Sequence, residues 1–420
     1  MSEANSEKEN VMKLLLSGQE ESIKLGLSIA KTLKIDITDV RKDMDILFDW
    51  YGKYKNLSFD KKILKTASKT EIDFSGRKMT FIPSQIRYFV NLQTLNVSYN
   101  QLTTLPEEIS GLSNLIFLIL PHNQLIQLPE KLNNLTKMRI LVLENNKFSQ
   151  WPTQLSTLVN LESLNLKNIA LTYLPEDIGN LINLRWLSLH NNQLHSIPSQ
   201  IGNLSQLLYL DISNNQLIEL PEKLGNLSSL TGLHLQNNRF KEWPVGINTI
   251  LNLTHIFLEG NQLTVLPEKI STLSKLKHLH LQKNQLIELP QGIGDLSNLT
   301  QLFLEYNQLK ELPGTIGSLS NLTDLHLSNN QFSELPVEIG SLVNLTDLHL
   351  SDNKLVEVPK EIGNLSNLRY LDLSDNQLSS LPPEFANLTN LSALALVNNP
   401  ISLPERKKLK SWLPNCEVIF

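Results

Sequence analysis

The sequence predicts an α/β solenoid: a long array of near-identical turns with a parallel sheet along one side, a helical cap before it and a short cap after it. Three observations carry this. Asparagine recurs every 23 residues over most of the chain, proline keeps the same spacing without a gap, and residues 1–70 follow neither rhythm. A fixed period of roughly 20–50 residues is the mark of stacked units, none of which can bury its own apolar face alone.

The array comes first in the argument. Its template is Leu92-Gln-Thr-Leu95-Asn-Val97-Ser-Tyr-Asn100-Gln-Leu102-Thr-Thr-Leu105-Pro106. The asparagine of Asn100 recurs as Asn123, Asn146, Asn192, Asn215, Asn238, Asn261, Asn284, Asn307, Asn330, Asn353, Asn376 and Asn399. Arg77 and Ile169 hold the same register without it, and Asn168 is the residue placed to substitute for Ile169. Proline runs on the same clock from Pro83 to Pro382.

Each residue type has a physical task. Alternating pairs such as Leu95/Val97 and Leu325/Leu327 describe a short strand with one face buried and the other free. The asparagine that follows is expected to turn inward, where its amide satisfies backbone groups of neighbouring turns. Proline fixes φ and holds the residue before it extended, so the return limb is expected to leave the strand without forming a hydrogen-bonded helix. In the middle of the array Asn284 is a structural residue, whereas Gln282 is expected to be exposed and inert.

The pattern LxxLxLxxNxLxxLPxxIGxL, carried by residues 71–403, resembles the leucine-rich repeat family, in its 23-residue class with the Leu-Pro step. That class includes Ras-suppressor-like proteins, plant intracellular Ras-group repeats and bacterial proteins. The resemblance implies a curved solenoid of about fifteen repeats, with a parallel concave sheet that holds a protein partner. It further implies a small GTPase or a signalling complex as the partner class.

The ends differ from the array. Residues 1–70 are expected to form a helical N-terminal region that caps the first repeat. Ser17-Gly-Gln-Glu20 fits a capping box, Ile23, Leu27 and Ala30 share a helix face, and Val40, Met44, Leu47, Tyr51 and Tyr54 follow a second helical course. The alternative is a partner-binding module with Trp50, Tyr51 and Tyr54 as exposed anchors. Residues 404–420 make the closing cap: a charged helix over Pro404–Trp412 and a strand over Cys416–Phe420, with Cys416 as a small apolar filler.

The free positions of the strands are where function is expected. Stacking at ~4.8 Å turns each column of the repeat into a row on the sheet. Phe117, Ile119, Ile140 and Val142 form an apolar patch; the rows then carry Trp186, Tyr209, His234, Phe257, His280, Phe303, His326 and Tyr370. Aromatic side chains on a rigid sheet offer large contact area with little entropy to lose, so these eight are the predicted partner-binding residues. Asp324, His326, Asp347 and His349 come from two copies of Thr-Asp-Leu-His-Leu-Ser and form a rectangle that is a candidate site for a metal or small ligand. The clustered histidines also predict a pH response near neutrality.

Composition excludes several classes. The chain holds 37 basic and 42 acidic side chains, for a formal charge of −5, and no segment has the basic excess that a phosphate backbone demands. A single cysteine excludes a disulfide framework. Met1–Asn10 is polar with no apolar stretch behind it, and the longest apolar run, Leu115–Leu120, is far too short to span a bilayer. The expectation is a soluble, cytoplasmic protein without a cofactor. No phosphate-loop, nucleophile-elbow, zinc-protease or dinucleotide motif occurs, so the expected function is a non-enzymatic protein-interaction scaffold. An effector exported without a cleavable signal is the remaining alternative.

Overall fold

A computed structural model describes residues 3–52 and 57–420. The chain falls into two compact units, Met1–Asn192 and Gln193–Phe420.

The first unit opens with four helices: α1 (Glu3–Leu15), α2 (Glu20–Thr32), α3 (Thr38–Tyr51) and α4 (Phe59–Ala67). The capping box is not formed. Gln19 is the N-cap of α2 and its side chain makes no cap bond, while the Ser17 hydroxyl accepts from the Gln19 N–H, two residues away. Glycine ahead of the helix lets Ser17 close this tight turn instead of reaching the first helical amides. Ile23 and Ala30 are buried as expected, but the third buried position is Gly26, and Leu27 lies half-exposed beside it. Val40, Met44 and Leu47 are buried along α3, joined by Phe48; Tyr54 and the Tyr51 side chain lie outside the described residues.

These helices pack on the first turns of the array. Trp50 is no exposed anchor, because its ring stands edge-on to Phe74 with centroids 4.7 Å apart. Asp43 of α3 accepts from Gln85 Nε2 at 2.8 Å, Tyr88 Oη at 2.6 Å and an Arg87 guanidinium nitrogen at 2.7 Å. Desolvation alone would raise the Asp43 pKa, but those donors hold it below the usual carboxylate range. Asn91 Nδ2 donates to the Ala67 carbonyl at the end of α4, at 2.7 Å.

Six three-residue strands follow in this unit: β1 (Glu71–Asp73), β2 (Thr94–Asn96), β3 (Phe117–Ile119), β4 (Ile140–Val142), β5 (Ser163–Asn165) and β6 (Trp186–Ser188). Each pairs in parallel with the next, 23 residues on. The second unit continues with β7 (Tyr209–Asp211), β8 (Gly232–His234), β9 (His255–Phe257), β10 (His278–His280), β11 (Gln301–Phe303), β12 (Asp324–His326), β13 (Asp347–His349), β14 (Tyr370–Asp372), β15 (Ala393–Ala395) and β16 (Glu417–Ile419). They too pair in parallel and in chain order. In most strands the middle residue is buried and its neighbours are half-exposed, as alternation requires.

The inward asparagines form the expected ladder, each only 6–9% exposed. Asn284 is typical. Its Nδ2 donates to the carbonyls of Leu258 (3.0 Å) and Leu281 (2.9 Å), and its Oδ1 accepts from the Leu263 amide at 3.0 Å, so one side chain ties two turns together. Asn168 does not replace Ile169. Its backbone is left-handed (φ 53°), and its amide bonds along the outside to Asn145 and Asn191. Ile169 is simply buried, and the carbonyls of Leu143 and Leu166 keep donors from Asn146 and Asn192.

The return limb also differs from expectation. Past each proline the chain makes a short 3₁₀ turn, such as Glu107–Gly111, in which the Ile109 amide donates to the Pro106 carbonyl at 3.1 Å. Proline restrains only itself and the residue before it; the residues after it are free to turn, and its own carbonyl is the acceptor. A second, exposed asparagine ladder runs there: Nδ2 of Asn298, Asn321 and Asn344 donates to the carbonyls of Ser274, Ser297 and Ser320 at 2.7–2.8 Å.

The second unit ends in α5 (Leu403–Trp412), whose N-cap Ser402 accepts from the Glu405 amide, and then in β16 on the last strand of the array. Cys416 is half-exposed, not a buried filler, because it precedes the strand rather than lying in it. Burial and the nearby Glu417 nevertheless push its thiol up to about 11.

Candidate functional site

Within the second unit the free face of the strands is built around a continuous file of rings. Tyr209, His234, Phe257, His280, Phe303, His326, His349 and Tyr370 stand in succession, with neighbouring centroids 4.1–4.8 Å apart. All eight are half-buried. Six come from one column of the repeat, one ring per strand. The two tyrosines come from the column beside it and lean inward to close the ends. Tyr209 can lean because β8 begins with glycine: a Cβ on Gly232 would lie 3.2 Å from the Tyr209 ring.

Seven of the eight predicted partner-binding residues therefore meet in one feature, together with His349. Trp186 lies in the first unit, on β6, at 46% exposure. The apolar patch of Phe117, Ile119, Ile140 and Val142 is also there, half-exposed in register across β3 and β4.

Burial disfavours the charged form of three histidines on this face. It lowers the pKa of His280 to about 4, with His278 adding to the effect. Burial likewise lowers His255, next to His278, and His349, next to His326. The expected response near neutrality is thereby displaced to the acid side for these three. Burial, then Asp211, pushes the Tyr209 phenol up to about 12.

The Asp–His rectangle does not gather its donors about one point. Asp324 and Asp347 each accept from the threonine just before them, Thr323 and Thr346, at 2.6 Å. His326 Nδ1 lies 2.8 Å from Glu305 Oε1, and its ring packs tilted against His349 with centroids 4.1 Å apart. Among the described residues no group of three or more histidine, cysteine, aspartate or glutamate side chains is arranged to hold a metal ion.

One row was not read from the sequence as part of the site. It lies two residues beyond the ring column and holds Gln236, Glu259, Gln282 and Glu305 in four consecutive turns. Each has a side-chain oxygen that is buried and accepts no hydrogen bond: Oε1 in the glutamines, Oε2 in the glutamates. Burial raises the Glu259 pKa above the ordinary carboxylate range. Gln282, expected to be exposed, is half-buried, because stacking of the turns seats it between Glu259 and Glu305 of the neighbouring repeats. The available signal was the run of Gln/Glu at a position that reads Ser328, Ser351 and Ser374 in later turns.

A cavity of 510 Å³ lies elsewhere, at the Leu-Pro turns, lined by residues that include Glu219, Arg239 and Trp243. No helix among the described residues is long and apolar enough to cross a membrane.

The leucine-rich repeat region family matches residues 138–242, 172–261, 250–352 and 337–411, and a leucine-rich repeat unit matches residues 79–125. No curated protein matches the chain. Among solved structures, a leucine-rich repeat protein of Leptospira interrogans is similar at 37% identity and a TM-score of 0.75, over 86% of this chain and 98% of that one. The plant peptide hormone receptor RGFR1, in complex with RGF2, is similar at 29% identity and a TM-score of 0.68, over 84% of this chain and 63% of that one. The Toll–Spätzle complex of Drosophila is similar at 25% identity and a TM-score of 0.69, over 77% of this chain and 46% of that one.

Proposed function

The chain belongs to the leucine-rich repeat family, and from that premise we propose that it is a non-enzymatic recognition scaffold that holds a protein partner on the ring-bearing face of residues 209–372. The observation that carries the proposal is the file of eight rings on a hydrogen-bonded ladder. Half-buried aromatic rings on a rigid support lose little freedom on binding, which is what an interaction hot spot requires. Proteins of this family generally act in protein–protein interaction, and two of the three similar structures are of complexes. A chain with one cysteine needs no oxidising compartment for its fold, so the proposal places the protein in the cytoplasm. Small GTPases and signalling complexes, the classes the sequence resemblance implies, are the first partners to try.

The test compares capture of partners by wild type, by Phe257→Ala/Phe303→Ala and by Trp186→Ala, with circular dichroism to establish that all three are folded. A partner held by wild type and by Trp186→Ala but lost from the double variant supports the ring face of the second unit. Equal capture by all three removes it.

A further inference from the structure

The face of residues 209–374 carries four buried acceptor oxygens without a hydrogen-bond donor, and carboxylates with no lysine or arginine among them. Its three free columns hold six carboxylates, Asp211, Glu259, Glu305, Asp324, Asp347 and Asp372, and neither lysine nor arginine. The nearest basic residues by position stand one column outside: Lys277 and Arg369 on one side, and on the other Lys283, whose ammonium lies over the Tyr306 ring. His326 Nδ1 meets one oxygen of Glu305 at 2.8 Å and leaves the other unanswered, while burial lowers the pKa of His280 and His349 and so disfavours their charged forms. Four buried oxygens in the row Gln236, Glu259, Gln282 and Glu305 accept no bond, and a buried acceptor left without a donor is unfavourable. The glutamines could present Nε2 instead by rotating, but the two glutamates have only acceptors to offer.

The first unit handles the same column differently. There it reads Ser98, Pro121, Glu144, Lys167 and His190. Glu144 Oε2 accepts from Asn165 Nδ2 at 2.8 Å, and Lys167 adds a positive charge. The unanswered acceptors are therefore no general property of the repeat.

Building on the binding reading above, we infer that the ring face takes an extended basic segment of its protein partner. Lysine or arginine N–H groups satisfy the Gln236–Glu305 row, and their charged ends lie over the adjacent rings. Cations are attracted to aromatic faces, arginine also stacks on them, and bonds from a cation to a carboxylate are the strong ones. The dimensions agree. Seven strand steps at ~4.8 Å make about 34 Å from Tyr209 to Tyr370, the length of about ten residues of extended chain.

The test is fluorescence anisotropy of the full chain with two labelled decapeptides, one alternating Arg with Ser and one alternating Glu with Ser. The Arg peptide should bind and the Glu peptide should not. Glu259→Gln/Glu305→Gln, nearly isosteric, should weaken the Arg peptide by about tenfold and flatten its salt dependence. Glu288→Gln/Glu311→Gln removes the same formal charge from exposed turn positions and should leave the affinity within about twofold. Equal binding of both peptides, no binding of either, or equal weakening by the two double variants would overturn the inference. A partner whose capture needs Phe257 and Phe303 but is indifferent to Glu259→Gln/Glu305→Gln would also sink the basic segment, while leaving the protein-binding face standing.

Discussion

The free faces of β2–β6 and of β7–β14 are displayed by the same backbone, with the same 23-residue step and the same buried asparagines, yet they are opposite in character. The first is apolar at Phe117, Ile119, Ile140 and Val142, and its Glu144 is answered by Asn165. The second is a file of closely packed rings beside a row of unanswered oxygens, with carboxylates and neither lysine nor arginine. The difference teaches that the repeat separates support from display. Leucine and asparagine positions secure the turn whatever the strand shows to solvent, so the free columns vary without changing the fold.

The firmest way to break this comparison is to attack the shared support. Asn123→Ala in the first unit and Asn284→Ala in the second should each lower stability by ~1–3 kcal/mol, since each leaves buried backbone groups without a partner. Denaturant midpoints check it. A fall in only one variant would mean that the two units are not supported alike.

The display positions should respond with opposite signs. Glu144→Gln replaces one acceptor of the Asn165 amide with a donor and should destabilise by about 1 kcal/mol. Glu259→Gln relieves a desolvated carboxylate and should leave stability unchanged or raise it by up to about 1 kcal/mol. Loss of stability in both would show that Glu259 has a donor after all.

Acid should tell the faces apart through His280, which packs between Phe257 and Phe303 and faces the charges of His278, Glu305, His234 and His255. Its folded pKa, about 4, lies below the ordinary value of 6.5. As pH falls, the unfolded chain takes up this proton first, so stability is complete above about pH 6.5 and declines towards pH 4. Glu259 acts in the other direction, since its raised pKa means that protonation favours the fold. Thermal melts from pH 7 to pH 4 should show a smaller acid loss in His280→Asn than in wild type. An identical loss in both would remove His280 as its source.

Smallest of all, Gly232→Val should displace Tyr209 from the end of the file, seen as a change in near-ultraviolet circular dichroism with the far-ultraviolet spectrum unchanged. Near-ultraviolet spectra that overlay would mean that the tyrosine does not depend on that gap.

Much of this was legible in the sequence, and the residues say why. A buried leucine or asparagine is dictated by its own position in the turn, so spacing alone identifies Leu325, Asn284 and the other ladder members, along with the strands, their parallel order and the closing helix and strand. Ring-bearing columns were legible for the same reason, since period two assigns a face. Partnership was not. That Tyr209 leans over Gly232, that His349 joins the rings instead of a metal site, that Trp50 packs on Phe74 and that four acceptors in one row stay unanswered all depend on side chains 23 or more residues apart. Local sequence determined which residues enter the core and which face outward. Only stacking of the turns decided what each outward residue meets, because rotamers and hydrogen bonds are settled by neighbours that the period brings near but does not choose.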